Sequence, residues 1–576
     1  MHIKRPVTPI ELLERRRLFS IYYVATTGND TTGTGSQASP FATIQHAANL
    51  TQPGDTVMVE PGDYGGFVLG WDYPQGGTAA APITYQAEPG ATIDSRDNKT
   101  ADGIDLEPGD SYVNIYGFTV INGDGSITRS GIRVDGSDYN NILDNTCTGC
   151  GEWGIFTSFA DYTLIQDNIC SDSINQQGIY VSNSADHPTI IDNTCFGNAL
   201  AGIHLNGDIS QGGDGLVTFA TIEDNVLYDN GADGASAING DGLTSSVIEN
   251  NLIYGNHSSG ISLFQEDAAA GATNNLIANN TIIMASNARW AININSGSTG
   301  NVLFDNIIMN HDPSTGAIDI TSDSLAGFES DYNVVTGEFA LNDNPLTPAQ
   351  WTADTGQDSH SIVALPSQLF ANMATGDFHL KAGAAAIDAG VPTFDSLPAP
   401  SVDFDGNTRL NAVGWDAGAY QFDIGLEADD FDSSLSDLIV HGSILGPNTM
   451  ALTLVSGDEV GVSVNNIDRG QYPLASLAQI DVYGGAGNDT ITIDPDLGTV
   501  TMLDGPAFPV GNHAFTIEPT LAAADDSLLD ASGGDSIAAN NGVPGTISSG
   551  FGNDTTQVDP GLDIIPSNGV ESILDA

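Results

Sequence analysis

The chain is nearly empty of positive charge. Among its 576 residues, 13 are Lys or Arg and 74 are Asp or Glu, for a formal net charge of −61. Lys4, Arg5, Arg15, Arg16 and Arg17 crowd the first few positions, and no lysine falls between Lys99 and Lys381. A surface of one sign repels nucleic acid and anionic lipid alike, so neither is an expected partner. Long hydrophobic runs are missing too: none reaches the ~18 residues that a membrane-spanning helix requires. The N-terminus opens on basic side chains but lacks the apolar stretch of an ordinary secretory signal. Cysteine is scarce, with four residues, although Cys147 and Cys150 form a CxxC pair that invites a disulfide or zinc reading.

What is present in quantity is a repeat. Asn145, Asn168, Asn193, Asn225, Asn251, Asn280 and Asn306 are spaced by 23, 25, 32, 26, 29 and 26 residues. Three positions before each stands Ile142, Ile165, Ile190, Ile222, Ile248, Ile277 or Leu303. A Gly/Ala-Ile pair recurs in step at Gly131, Gly154, Gly178, Gly202, Ala237, Gly260, Ala291 and Ala317, each opening a short alternating strand. A period of this length, poor in helix formers, implies an all-β chain built as a right-handed parallel β-helix. Alternation sends the Ile and the residue two later inward and the residues between them outward. The asparagines are expected to stack their amides along the axis, donor to acceptor. Cys147, Cys170 and Cys195 follow ladder asparagines by two residues, where later coils carry Leu227, Ile253, Ile282 and Ile308. That alignment favours a buried column over a disulfide or metal site.

Three short stretches carry a family resemblance. Tyr22-Tyr23-Val24, Pro40-Phe41-Ala42-Thr43-Ile44 and Pro53-Gly54-Asp55-Thr56-Val57 resemble the N-terminal cap of bacterial right-handed β-helix proteins. These are the pectate-lyase-like proteins and the relatives of alginate and chondroitin lyases. A helix from about Phe41 to Leu50 would then cover the open end of the solenoid. Residues 376–422 resemble the end segment of such proteins, which implies structural roles for Lys381, Asp388, Asp403, Asp405, Arg409 and Asp416. The stretch "IELLERRRLFS" resembles a short motif of large exported bacterial proteins, and with the charge it points to a secreted or cell-surface protein. The organisation read from these features is an export-type segment at 1–19, a β-helix with its cap and end segment at 20–425, and a smaller acidic β-rich domain at 426–576. In that last region "YGGAGNDTITI" resembles a calcium nonapeptide, with Asn488 and Asp489 as candidate Ca²⁺ ligands through hard oxygen donors. Acidic β-turns without metal are the alternative.

The register also names a candidate site. One outward column runs Arg133, Phe156, Tyr180, His204, Asn239, Ser262, Asn293 and Asp319, and its neighbour includes Asn206, Asp241 and Phe264. Coils lie ~4.8 Å apart, so Tyr180 and His204 are expected side by side. The two longest coils place Asp208 and Glu266 at the rim of this face, and Arg289 and Trp290 lie just before another strand. Phe156, Asn206, Asn239, Phe264, Glu266, Arg289 and Trp290 are candidate polysaccharide-binding residues.

The resemblance implies a polysaccharide lyase acting on a uronic-acid polymer. Such a reaction needs the sugar carboxylate neutralised and protons moved at C5 and at the leaving oxygen. Arg133, or Ca²⁺ held by Asp208 and Asp241, would neutralise the carboxylate, and Tyr180 and His204 would share the proton transfers. A glycoside hydrolase would instead pair Asp208 or Glu266 with Asp241 across the bond. A uronate epimerase or a non-catalytic carbohydrate-binding adhesin remains open on the same scaffold. A monomer is expected in every case.

Overall fold

The computed structural model describes residues 19–422 apart from 374–375, 382–383 and 410–414, and beyond residue 436 only the individual strands. Asn488 and Asp489 lie outside the described residues. Contacts divide the chain into two units, one of residues 1–373, 388–400 and 416–420, the other of residues 374–387, 401–415 and 421–576.

The first unit is a right-handed parallel β-helix. Successive coils contribute to three sheets of twelve strands each. One sheet runs from Ile21–Val24 to Glu329–Asp331 and contains the Ile of every Ile-x-x-Asn phrase. A second, from Gly62–Gly65 to Ile362–Val363, follows the ladder asparagines. The third, from Phe67–Leu69 to Asn344–Leu346, is made of the Gly-Ile strands.

The asparagine corner shows why the repeat is so strict. The residue before each ladder Asn has a left-handed backbone, with φ of 54° at Asp144, 57° at Asp167, 58° at Asp192 and 55° at Asp224. Asp and Asn tolerate that region better than most residues, which accounts for the recurring Asp-Asn pair. Within the corner, Asn193 Oδ1 accepts from Asn168 N and Nδ2, while Asn193 Nδ2 donates to Asn225 Oδ1 and to Ile165 O. Only a carboxamide supplies both halves of that pattern. The ladder runs on to Asn333. A shorter one, Asn198–Asn230–Asn256, occupies another corner.

Like stacks on like inside as well. Cys147 pairs with Cys170, Cys170 with Cys195 and Cys195 with Leu227. All four cysteines are free and fully buried, and burial pushes the Cys150 thiol well above its ordinary range. They pack the core.

The capping helix is shorter than the sequence suggests, spanning Ile44–Ala48. Phe41 bridges Val24 as extended chain, and Asp30 ties down the amides of Ala42 and Thr43. The helix therefore starts after Thr43, whose side chain caps it by accepting from His46 N. A second helix, Pro348–Thr355, buries Trp351 against Phe339 with ring centroids 5.0 Å apart. The 388–400 and 416–420 stretches return to the coils: Asp305 accepts from Val391 N, and Asn279 Nδ2 donates to Asp416 O.

The second unit is β-rich. Its strands from Gln479–Tyr483 onward mostly alternate between a five-stranded parallel sheet and an eight-stranded sheet that opens with an antiparallel meander, Thr449–Val455, Glu459–Val464 and Ile467–Pro473.

Candidate functional site

The outward column of the Gly-Ile sheet is continuous. Pairing aligns Arg133 with Phe156, Phe156 with Tyr180, Tyr180 with His204, His204 with Asn239 and onward through Ser262 and Asn293 to Asp319. Asp105 extends it on the other side of Arg133. At its centre lies an aromatic cluster: Trp153 is 4.6 Å from Phe156 and 5.7 Å from Tyr180, and Tyr180 stacks on His204 at 4.9 Å.

A hydrogen-bonded chain sets the state of His204. Trp153 Nε1–H donates to Gln177 Oε1 at 2.7 Å, and Gln177 Nε2 lies 3.2 Å from His204 Nδ1. Indole is only a donor, so it turns the amide oxygen of Gln177 toward Trp153 and the NH₂ toward the imidazole. His204 Nδ1 must then accept, and the neutral ring carries its proton on Nε2. That nitrogen is buried and meets no partner among the described residues. Burial holds the imidazole down to about 4, against an ordinary value of 6.5, so the ring is neutral near pH 7. Beside it, Asn206 Nδ2 donates to Tyr180 Oη at 3.0 Å, and burial pushes the phenol up to about 12. Both rings therefore hold their protons at neutral pH.

Arg133 stands in register with this cluster, but its charge is already engaged. Its guanidinium meets Asp105 at 3.0 Å, Glu107 at 3.3 Å and Asp135 at 2.8 Å. Burial raises the Asp105 carboxyl above its ordinary range even with Arg133 beside it. Three carboxyl groups around one guanidinium leave no excess positive charge for a sugar acid.

The two long coils meet beside His204. Ile209 N donates to Asp267 O, and Ala269 N to Gly215 O. Asp241 organises that junction: its buried carboxylate accepts from Glu266 N at 2.8 Å and Asp267 N at 2.7 Å. Asp208 Oδ1 accepts from Ser210 N and Oγ, capping the turn Ile209–Gln211. Both carboxylate oxygens of Asp241 accept from backbone N–H groups, whereas Ser210 engages one oxygen of Asp208 and the other takes no hydrogen bond among the described residues. Among the described residues no group of three or more His, Cys, Asp or Glu is placed to hold a metal.

The remaining candidates are dispersed. Asn206 contacts Tyr180, Asn239 follows His204, and Phe264 pairs with Asp241. Glu266 and Arg289 are exposed, whereas Trp290 is buried at 6% exposure and offers no free stacking face. Trp153 and Gln177 are neighbours of His204 that the strand pattern does not name. Each precedes a Gly-Ile strand by one residue, so the repeat aligns them, but nothing in the repeat says that they reach His204.

Two family profiles match parts of the chain. Residues 76–212 match the periplasmic copper-binding protein (NosD) family, and residues 26–74 match a protein family of unknown function, DUF1565. No curated protein matches. Similar solved structures include pectate lyase Pel9A, at 16% identity over 70% of this chain and 96% of the other, with a TM-score of 0.49. XylC in complex with xylose is 10% identical over 69% and 98% of the two chains, with a TM-score of 0.41. An alginate lyase from Paenibacillus sp. str. FPU-7 is 17% identical over 52% and 97%, with a TM-score of 0.38. Likenesses of this degree concern the fold and assign no chemistry.

Proposed function

We propose that this right-handed parallel β-helix, pectate-lyase-like in architecture, is a secreted carbohydrate-active protein that cleaves a uronic-acid-containing polysaccharide by β-elimination. One observation carries the reading: Tyr180 and His204 are stacked, Tyr180 keeps its phenolic proton and His204 is neutral at pH 7, and the buried His204 Nε2–H has no partner among the described residues. Elimination shifts negative charge onto the uronate carboxylate as the C5 proton leaves. Once substrate entry displaces the side chains that cover the His204 Nε2–H, this neutral donor would meet that carboxylate, and its bond would strengthen as the charge grows, which lowers the barrier.

In this scheme the C5–H electron pair becomes the C4–C5 double bond while the C4–O bond breaks. Tyr180 gives its phenolic proton to the leaving oxygen. The C5 proton passes to a rim carboxylate, for which Asp208 is the candidate because its Oδ2 takes no hydrogen bond among the described residues. Phe156, Asn206, Asn239, Phe264, Glu266 and Arg289 would flank the chain. With Arg133 neutralised by its acids, a densely charged polyuronate is a poorer match than a polymer in which uronates are interspersed with neutral sugars.

The test is incubation with alginate, polygalacturonate and mixed uronate polymers, with and without EDTA, read by the ultraviolet absorbance of unsaturated ends. The expected result is EDTA-insensitive product formation that drops on the order of 10²-fold in His204→Ala, as for loss of a transition-state donor, and comparably in Tyr180→Phe. Undiminished activity in His204→Ala would overturn the assignment. New reducing ends without absorbance would make the protein a hydrolase, and retention on the polymer without product would make it a binding protein.

A further inference from the structure

A second face of the β-helix carries an unusual set of rings. At the corner between the Gly-Ile sheet and the next, five successive coils place Tyr112, Tyr139, Tyr162, His187 and Phe219, with φ of 59°, 58°, 54°, 54° and 55°. The same backbone bond recurs at each, from Tyr112 N to Asp138 O, Tyr139 N to Asp161 O, Tyr162 N to Asp186 O, His187 N to Thr218 O and Phe219 N to Thr244 O. The rings stack 5.0, 4.8, 4.6 and 4.9 Å apart, with interplanar angles of 2°, 5°, 6° and 14°.

Stability alone does not explain them. A bulky side chain in the left-handed region is strained, and the later coils relieve that strain with Asn274 and Gly300 at the same corner, after the small Ser245. The rings are also poorly buried, with Tyr139, Tyr162 and Phe219 at 42%, 45% and 54% exposure. Among the described residues the hydroxyls of Tyr112, Tyr139 and Tyr162 have no hydrogen-bond partner. A strip of strained, partly exposed rings, three of them bearing a hydroxyl, is better suited to meeting a ligand than to holding a fold.

The stack ends at an opening. Phe219 has no ring above it, because the next corner residue is Ser245. Ser245, Asn274 and Gly300 continue the column as one wall of a cavity of about 570 Å³, and Asp395, Leu397 and Pro400 form part of its other wall. That volume falls within the range of small-ligand sites. Ring edges, the free face of Phe219 and the cavity therefore form one track along the solenoid axis.

We infer that this track is a second carbohydrate-binding site, separate from the Tyr180–His204 cluster, and that it takes an extended, uncharged hexose chain. Coil spacing repeats the rings at ~4.8 Å, close to the rise of one sugar in an extended chain, so successive sugars meet successive rings. Phenolic hydroxyls and carboxylates supply hydrogen bonds to sugar hydroxyls, and the open face of Phe219 accepts the apolar face of a pyranose. Asp138, Asp161 and Asp186 immediately precede Tyr139, Tyr162 and His187. Their charges disfavour a polyanion at this face.

Binding of cellohexaose, mannohexaose and hexagalacturonate to the full-length chain, followed by calorimetry, tests the inference. It is independent of the elimination reading, since binding is measured without turnover. The variant is Tyr139→Asn/Tyr162→Asn/Phe219→Asn, because Asn already occupies this corner at Asn274 and accepts its backbone. The expected result is binding of at least one neutral hexamer by the parent and affinity at least about tenfold weaker in the triple variant. Circular dichroism should remain unchanged. Ser245→Tyr, which would cover the free face of Phe219, should weaken binding as well. The inference is overturned if neither neutral hexamer binds, if the triple variant binds as the parent does, or if hexagalacturonate binds more tightly through these residues.

Discussion

Gln177 decides what His204 is able to do. Its amide is oriented by Trp153, and it in turn makes Nδ1 of His204 an acceptor. Gln177→Glu replaces the donor NH₂ with a carboxylate oxygen while leaving an acceptor for the indole. The imidazole must then carry a proton on Nδ1, and a nearby negative charge favours its cationic form. The folded-state value should rise from about 4 to above the ordinary 6.5, as read by NMR titration of the ring. At a pH above that raised value, where the ring is neutral, elimination should fall on the order of 10²-fold, because the proton then sits on Nδ1 and Nε2 has none to donate. The same shift has a thermodynamic sign. In the parent, folding favours the neutral ring, so its contribution is full above 6.5 and lost as pH falls toward about 4. That loss is on the order of 3 kcal/mol. Urea unfolding across this window should show a smaller acid loss in Gln177→Glu than in the parent. An unchanged difference between the two proteins would mean that His204 is not held neutral by burial.

At the scale of the element, the coil is fixed by its corners. Asn225 accepts from both nitrogens of Asn193 and donates to Ile190 O, Glu223 O and Asn251 Oδ1. Asn225→Ala leaves buried donors and acceptors unpaired on both neighbouring coils, at about 1–3 kcal/mol for each group left unsatisfied. A loss of several kcal/mol is expected by denaturant unfolding, well above that for truncating an exposed residue such as Glu266. This layer was legible in the sequence because a solenoid repeats its contacts: one asparagine spacing gave the sheets, the inward Cys147–Cys170–Cys195 column and the outward Tyr180–His204 pair. Other contacts were not legible because they run sideways. Arg133 is outward as the register requires, but its three carboxylates come from two coils and from positions the Gly-Ile pattern does not weight. Asp241 faces outward too, yet the insertion it anchors has no counterpart in other coils. The ring corner was readable in principle, since Tyr139, Tyr162, His187 and Phe219 align one residue before Asn140, Thr163, Pro188 and Ala220. It lies outside the strands, where alternation carries no information.

For the whole molecule, the dominant fact is self-repulsion. With a net charge of −61 and carboxylates repeated coil by coil, like charges stack at strand spacing along the axis. Asp144, Asp167 and Asp192 form one such row, and the Asp167 carboxyl is raised by burial first and then by Asp192 and Asp144. Two unit charges ~5 Å apart in water repel by roughly 1 kcal/mol. Salt shortens the screening length from ~30 Å at 0.01 M to ~3 Å at 1 M, so it should stabilise this protein rather than weaken it. Ion pairs, which salt would loosen, include those of Arg129, Arg133 and His379 among the described residues. The melting temperature should therefore climb steadily with NaCl. With both Asp241 oxygens engaged by backbone N–H groups, the β-helix transition should follow ionic strength alone, with NaCl and CaCl₂ curves superimposing when plotted that way. A calcium-specific rise at low ionic strength, absent with sodium and reversed by EDTA, would mean that discrete cation sites stabilise the fold, and the reading of its acids as mutually repelling surface charge would have to give way.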